Sequence, residues 1–145
     1  MLTEKAKVFL VDAESVDACD AYGPLLRSLD DLTTGALGIA HLTFVEGASR
    51  IVRVERADGT TFELTLAGNT DSIDKERLVE QLNLMLAGTE LRLITYWSQS
   101  FGQQIAFAAL PGADVAALTA WVAARKEHEI FEQVFPDGDR PAIGL

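Results

Sequence analysis

At 145 residues, with 48% hydrophobic and 23% charged side chains, the chain has the make-up of one globular domain, 1–145. That length can bury about 68% of the unfolded surface without staples. Twelve basic against 22 acidic residues leave a net charge of −10, which repels phosphate backbones and anionic lipid, so neither nucleic acid nor membrane is an expected partner. No apolar run reaches the roughly 18 residues of a membrane span. The segment Lys5-Ala-Lys-Val-Phe-Leu-Val-Asp12 is too short for a signal-peptide core. A lone Cys19 allows no intrachain disulfide, and the expected location is cytoplasmic.

In chain order, Val8 to Val11 is a short apolar run that fits a strand better than a helical turn. From Ser15 the period turns helical, with Val16, Cys19 and Tyr22, then Leu25, Leu26, Leu29 and Leu32. Gly23-Pro24 interrupts it, and proline is tolerated in a first helical turn, so two helices are predicted over 15–22 and 24–33. Six acids (Asp12, Glu14, Asp17, Asp20, Asp30, Asp31) against Arg27 put −5, half the net charge, into this stretch.

Three strands follow. Gly38 to Val45 places Ala40, Leu42 and Phe44 on one face and His41 and Thr43 on the other. Arg50 to Arg56 and Thr60 to Ala67 form a hairpin whose loop length can be argued. A two-residue Asp58-Gly59 loop sets Arg53 opposite Leu64 and mixes faces. A three-residue loop, Ala57-Asp58-Gly59, sets Val54 against Phe62, Val52 against Leu64 and Arg53 against Glu63. A type I turn with Gly59 left-handed at a G1 bulge is therefore predicted.

The central helix is predicted over Lys75 to Leu86. Asp74 is placed as its N-cap, Ile73 and Leu78 as a hydrophobic staple, and Gly88 as the left-handed residue after its end. Leu78, Val79, Leu82, Met85 and Leu86 form its apolar stripe. Leu91 to Trp97 and Gln103 to Leu110 make a second hairpin. Pro111-Gly112 opens a third helix carrying Val115, Leu118, Trp121 and Val122. Residues 126–135 fit either an extension of that helix or a final strand, and 136–145 read as a loosely held tail. The order (β)αβββαββα specifies an α+β fold, an antiparallel sheet of five or six strands with three main helices largely on one face.

No catalytic, metal-ligating or cofactor-binding signature stands out, and no cofactor is expected. Asp17 and Asp20 lie one helical turn apart, but the glycine turn and spacing of a calcium loop are absent. His128-Glu129-Ile-Phe-Glu132 lacks the second histidine of a zinc helix. Cys19 sits among acids, which disfavour the thiolate, and its helical spacing marks it as core. Tyr96, Trp97 and Phe101 cluster around a hairpin turn, and aromatics there are typical anchors for a protein partner. Trp121 could serve a homodimer in the same way.

This element order, with the acidity and length, resembles the type III secretion chaperones, small dimeric proteins that wrap the unfolded start of an exported effector. The resemblance spans about residues 15–128 and is one of element order, so no site residues are carried over from it. The expected function is a non-enzymatic, bacterial-type protein-binding module that captures a basic protein partner, either a secretion chaperone or an immunity protein masking a toxin. Its expected partner-binding residues are Asp17, Asp20, Tyr96, Trp97 and Phe101. The alternative is an enzyme or small-molecule binder with a pocket between sheet and helices, using His41, Tyr96 or Gln104.

Overall fold

The protein is described by a computed structural model over residues 7–96 and 102–115. Its elements are β1 (Lys7–Asp12), a 3-10 turn (Cys19–Ala21), α1 (Tyr22–Leu32), β2 (Ile39–Val45), β3 (Ser49–Arg56), β4 (Thr61–Ala67), α2 (Lys75–Met85), β5 (Leu91–Tyr96) and β6 (Gln104–Pro111). Residues 112–115 are helical, where the sequence predicts the start of the third helix. The α+β class and the element order are those the sequence predicts. The readings of 116–145, including Leu118, Trp121 and the tail, lie outside the described residues.

The six strands divide into two antiparallel sheets of three, ordered β1-β6-β5 and β2-β3-β4, in place of the single sheet expected from the sequence. Alternation tells a strand which of its faces is apolar, not which strand lies beside it. Here β1 skips the whole middle of the chain to pair with β6, Phe9 opposite Phe107. The helices join the sheets: α1 packs against β1, β2 and β6, and α2 packs against β4 and β5. Leu26 and Leu29 of α1, Val52, Val54, Leu64 and Leu66 of the second sheet, Leu78 and Leu82 of α2, and Leu93 and Phe107 of the first share one core. Among the described residues no helix is long and apolar enough to cross a membrane.

The β3–β4 register is the one the alternation demands: Val54 opposite Phe62, Val52 opposite Leu64, Arg53 opposite Glu63. The Gly59 N–H reaches the Arg56 carbonyl at 3.0 Å, and Gly59 has φ +88°. A valine there meets a forbidden φ, so Gly59→Val should lower stability by about 1–2 kcal/mol in a thermal or urea melt. An unchanged midpoint would overturn the turn assignment.

Several local expectations are corrected. No helix spans 15–22; the chain bends and makes only the 3-10 turn before α1, which begins at Tyr22 and holds Pro24 in its first turn as expected. The donors a helix would use there go elsewhere: Val16 N–H to the Asp71 carbonyl at 3.0 Å, and Cys19 N–H to Glu46 Oε1 at 3.0 Å. Ala40 sits at a register shift between Ile39 and His41 and is exposed instead of sharing the Leu42 face. Asp74 precedes α2, yet its side chain makes no cap bond; the carboxylate accepts the Ala67 N–H at 2.9 Å. Gly88 is not left-handed. The end of α2 is satisfied by side chains instead: the Thr89 hydroxyl and an Arg92 guanidinium N–H each reach the Leu86 carbonyl at 2.9 Å.

Candidate functional site

Three connections meet at one end of the second sheet: 13–18 after β1, the 46–48 turn between β2 and β3, and 68–74 between β4 and α2. Backbone bonds tie the first to the third, Val16 N–H to Asp71 O at 3.0 Å and Ile73 N–H to Ala13 O at 2.7 Å. Asn69 takes a left-handed φ of 56°, a conformation asparagine tolerates better than most residues. Gly68 brings the third connection against the second, its Cα facing the Gly47 and Ala48 carbonyls.

Arg50 lies at the centre. It shares strand parity with Val52 and Val54, so β3 directs it inward, and it is only 3% exposed. Its guanidinium donates to Glu46 Oε2 at 2.9 Å, to the Val16 carbonyl at 2.7 Å and to the Asp17 carbonyl at 3.1 Å. One planar fork thereby holds two connections to β3, a geometry that lysine cannot copy. The hydrogen bond from Arg50, with help from the Cys19 N–H, holds the Glu46 carboxyl below the usual carboxylate range.

Above this clasp is an open cleft of about 540 Å³ lined by Asp17, Glu46, Gly47, Arg50, Asn69, Thr70 and Asp71. Glu46 has both oxygens engaged. The carboxylates of Asp17 and Asp71 are exposed and accept no hydrogen bond among the described residues. Three acids against Arg50 leave −2 around the cleft. It can take an ammonium or guanidinium group and disfavours anions. Among the described residues, no group of three His, Cys, Asp or Glu side chains could hold a metal ion.

The depressed Glu46 value has a pH consequence. Its folded pKa lies below its unfolded one, so its contribution is present above the unfolded value and is lost as pH falls through the folded one. Glu46→Gln should therefore flatten the acid limb of a melting-temperature profile below about pH 5. An acid limb as steep as in the parent protein would show that this pair does not couple folding to pH.

Of the sequence-predicted site residues, Asp17 lines the cleft. Asp20 is exposed in the 3-10 turn, near enough to Cys19 to disfavour its thiolate, but it does not line the cleft. Tyr96 ends β5 opposite Ala106; its side chain, with Trp97 and Phe101, lies outside the described residues. His128, Glu129 and Glu132 do too. Cys19 is buried, its thiol 3.6 Å from the Ile51 carbonyl, and burial first and Glu46 second push its pKa up. His41 is exposed on β2 and Gln104 half-buried on β6, in different sheets.

Sequence reasoning missed Glu46, Arg50 and Asp71. For Arg50 a signal existed: a charge at the inward parity of a strand whose other inward residues are valines must find partners. Nothing local marked Glu46 or Asp71, which reach the cleft only through the long-range fold. No protein-family model, no curated protein and no solved structure matches the chain.

Proposed function

We propose that the chain is a non-enzymatic protein-binding module that captures a basic protein partner, with the cleft at Asp17 and Asp71 as its docking point. The observation that carries this reading is the division of labour among the charges. Arg50 is buried and spent on Glu46 and two carbonyls, which leaves the two mouth carboxylates exposed and, among the described residues, without a partner of their own. A chain with net charge −10 attracts a cationic protein over distance. The cleft then offers a lysine or arginine a specific seat. Secretion chaperones and immunity proteins both work by such capture, and both fit a bacterial, cytoplasmic protein whose single cysteine stays reduced.

The test is capture from the native host at low and high salt, with the parent protein and with Asp17→Asn/Asp71→Asn. The expected result is a basic protein retained at low salt, released at high salt, and weakened about tenfold or more by the double variant. Binding indifferent to both salt and the variant would overturn the proposal.

A further inference from the structure

Among the described residues the two sheets have four edge strands, β1, β5, β2 and β4, and an edge strand presents unpaired backbone groups that can recruit another strand. Three of the four are guarded. At β4, the Gln81 side chain accepts the Thr65 N–H at 2.8 Å and donates to the Thr65 carbonyl at 3.0 Å, while Asp74 takes the Ala67 N–H. At β5, the Asn83 amide does the same to Leu93, at 2.7 and 2.9 Å, and the Thr89 hydroxyl takes the Leu91 N–H. β1 begins and ends on charges, Lys7 and Asp12.

β2 has none of these devices. Its sequence, Ile-Ala-His-Leu-Thr-Phe-Val, contains no Lys, Arg, Asp, Glu or Pro. The direction of its free groups follows from the ladder. Arg56 N–H bonds to Thr60 O just before β4, whereas Ala57 N–H bonds to Gly38 O beside β2. Odd-numbered β3 residues therefore bond β2, and their partners there are His41, Thr43 and Val45. The backbone groups of Leu42 and Phe44 point away from β3, and among the described residues nothing hydrogen-bonds to them.

We propose that this edge pairs with the β2 edge of a second copy of the chain, antiparallel about a two-fold axis through Thr43. The edge is its own complement. Centred on Thr43, Leu42 exchanges backbone bonds with Phe44 of the second copy, and the apolar undersides of the two half-buried residues continue one layer across the axis. On the outer face Thr43 meets Thr43, a favourable cross-strand pair, and His41 meets Val45, which is 44% exposed in the single chain. Self-association of a chain with net charge −10 needs a contact free of carboxylates, and 39–45 is such a strand. The two three-stranded sheets then become one of six strands, and isologous pairing closes at two copies.

Sedimentation of the full chain across a wide concentration range should show a species of twice 15.7 kDa. Thr43→Lys puts like charges face to face on the axis and should weaken the dimer at least tenfold, with circular dichroism confirming the fold at this exposed position. Thr43→Cys tests the register independently of any folding defect in the lysine variant. Facing residues of a non-hydrogen-bonded pair have Cα atoms about 4.5 Å apart, so mild oxidation should link the chains. Val45→Cys, which faces His41 across the axis, should not link to its own copy, and buried Cys19 leaves the parent protein unlinked. A monomer at every concentration, or a dimer that ignores Thr43→Lys and fails to cross-link through position 43, would overturn the proposal.

Discussion

Arg50→Ala is expected to lower the free energy of unfolding by about 3 kcal/mol, read as a shift of the urea midpoint without a change in slope. The arginine is 3% exposed, so almost none of its bonding is shared with water. Removing it strands the Val16 carbonyl beneath the surface and deprives the Asp17 carbonyl and Glu46 of their donor. Glu46 is half exposed and recovers solvation, which keeps the loss below that of a fully buried ion pair. Arg50→Lys should recover less than half, because one ammonium cannot satisfy a carboxylate and two carbonyls that lie in the plane of a fork. Full recovery by lysine would mean that charge alone, and not geometry, ties the two connections to β3.

Gly68→Val should cost a similar amount, about 3 kcal/mol, for a different reason. A Cβ at Gly68 would lie 2.6 Å from the Ala48 carbonyl oxygen and 2.9 Å from its carbon, and closer still to the Gly47 carbonyl oxygen. These are backbone atoms in a tight turn and cannot swing aside, so even Gly68→Ala must separate the 46–48 turn from the 68–74 connection. The control is Gly88, where an added Cβ meets nothing within 4 Å and the backbone is not left-handed. Gly88→Ala should leave stability unchanged or raise it by about 0.4–1 kcal/mol by restricting the unfolded chain. If Gly88→Ala instead destabilised while Gly68→Ala did not, the assignment of close approach to Gly68 would be wrong.

The contrast between these two glycines shows what could be read in advance. Strict alternation across β3 and β4 left one register consistent, and the apolar stripe from Leu78 to Leu86 placed α2 within a residue of its observed ends. Both depend on neighbours in sequence. Val16, Cys19 and Tyr22 had helical spacing for an unrelated reason: a bend buries all three, and their segment is held by Asp71 and Glu46 from elsewhere in the chain. The end of α2 is closed by Thr89 and Arg92 side chains, so glycine after a helix proved a coincidence. The cleft was half legible. Asp17 stood out by charge density, while Asp71 enters it only because the connection after β4 returns to the segment after β1.

Gln81 and Asn83 are two residues apart, about 200° around a helix, which is why α2 can reach the edge of one sheet with the first and the edge of the other with the second. Turning the helix by a single residue would release both amides at once. Rotation of α2 is thus expected to uncover the Thr65 and Leu93 amide protons together, so that in hydrogen exchange the two should share one opening free energy.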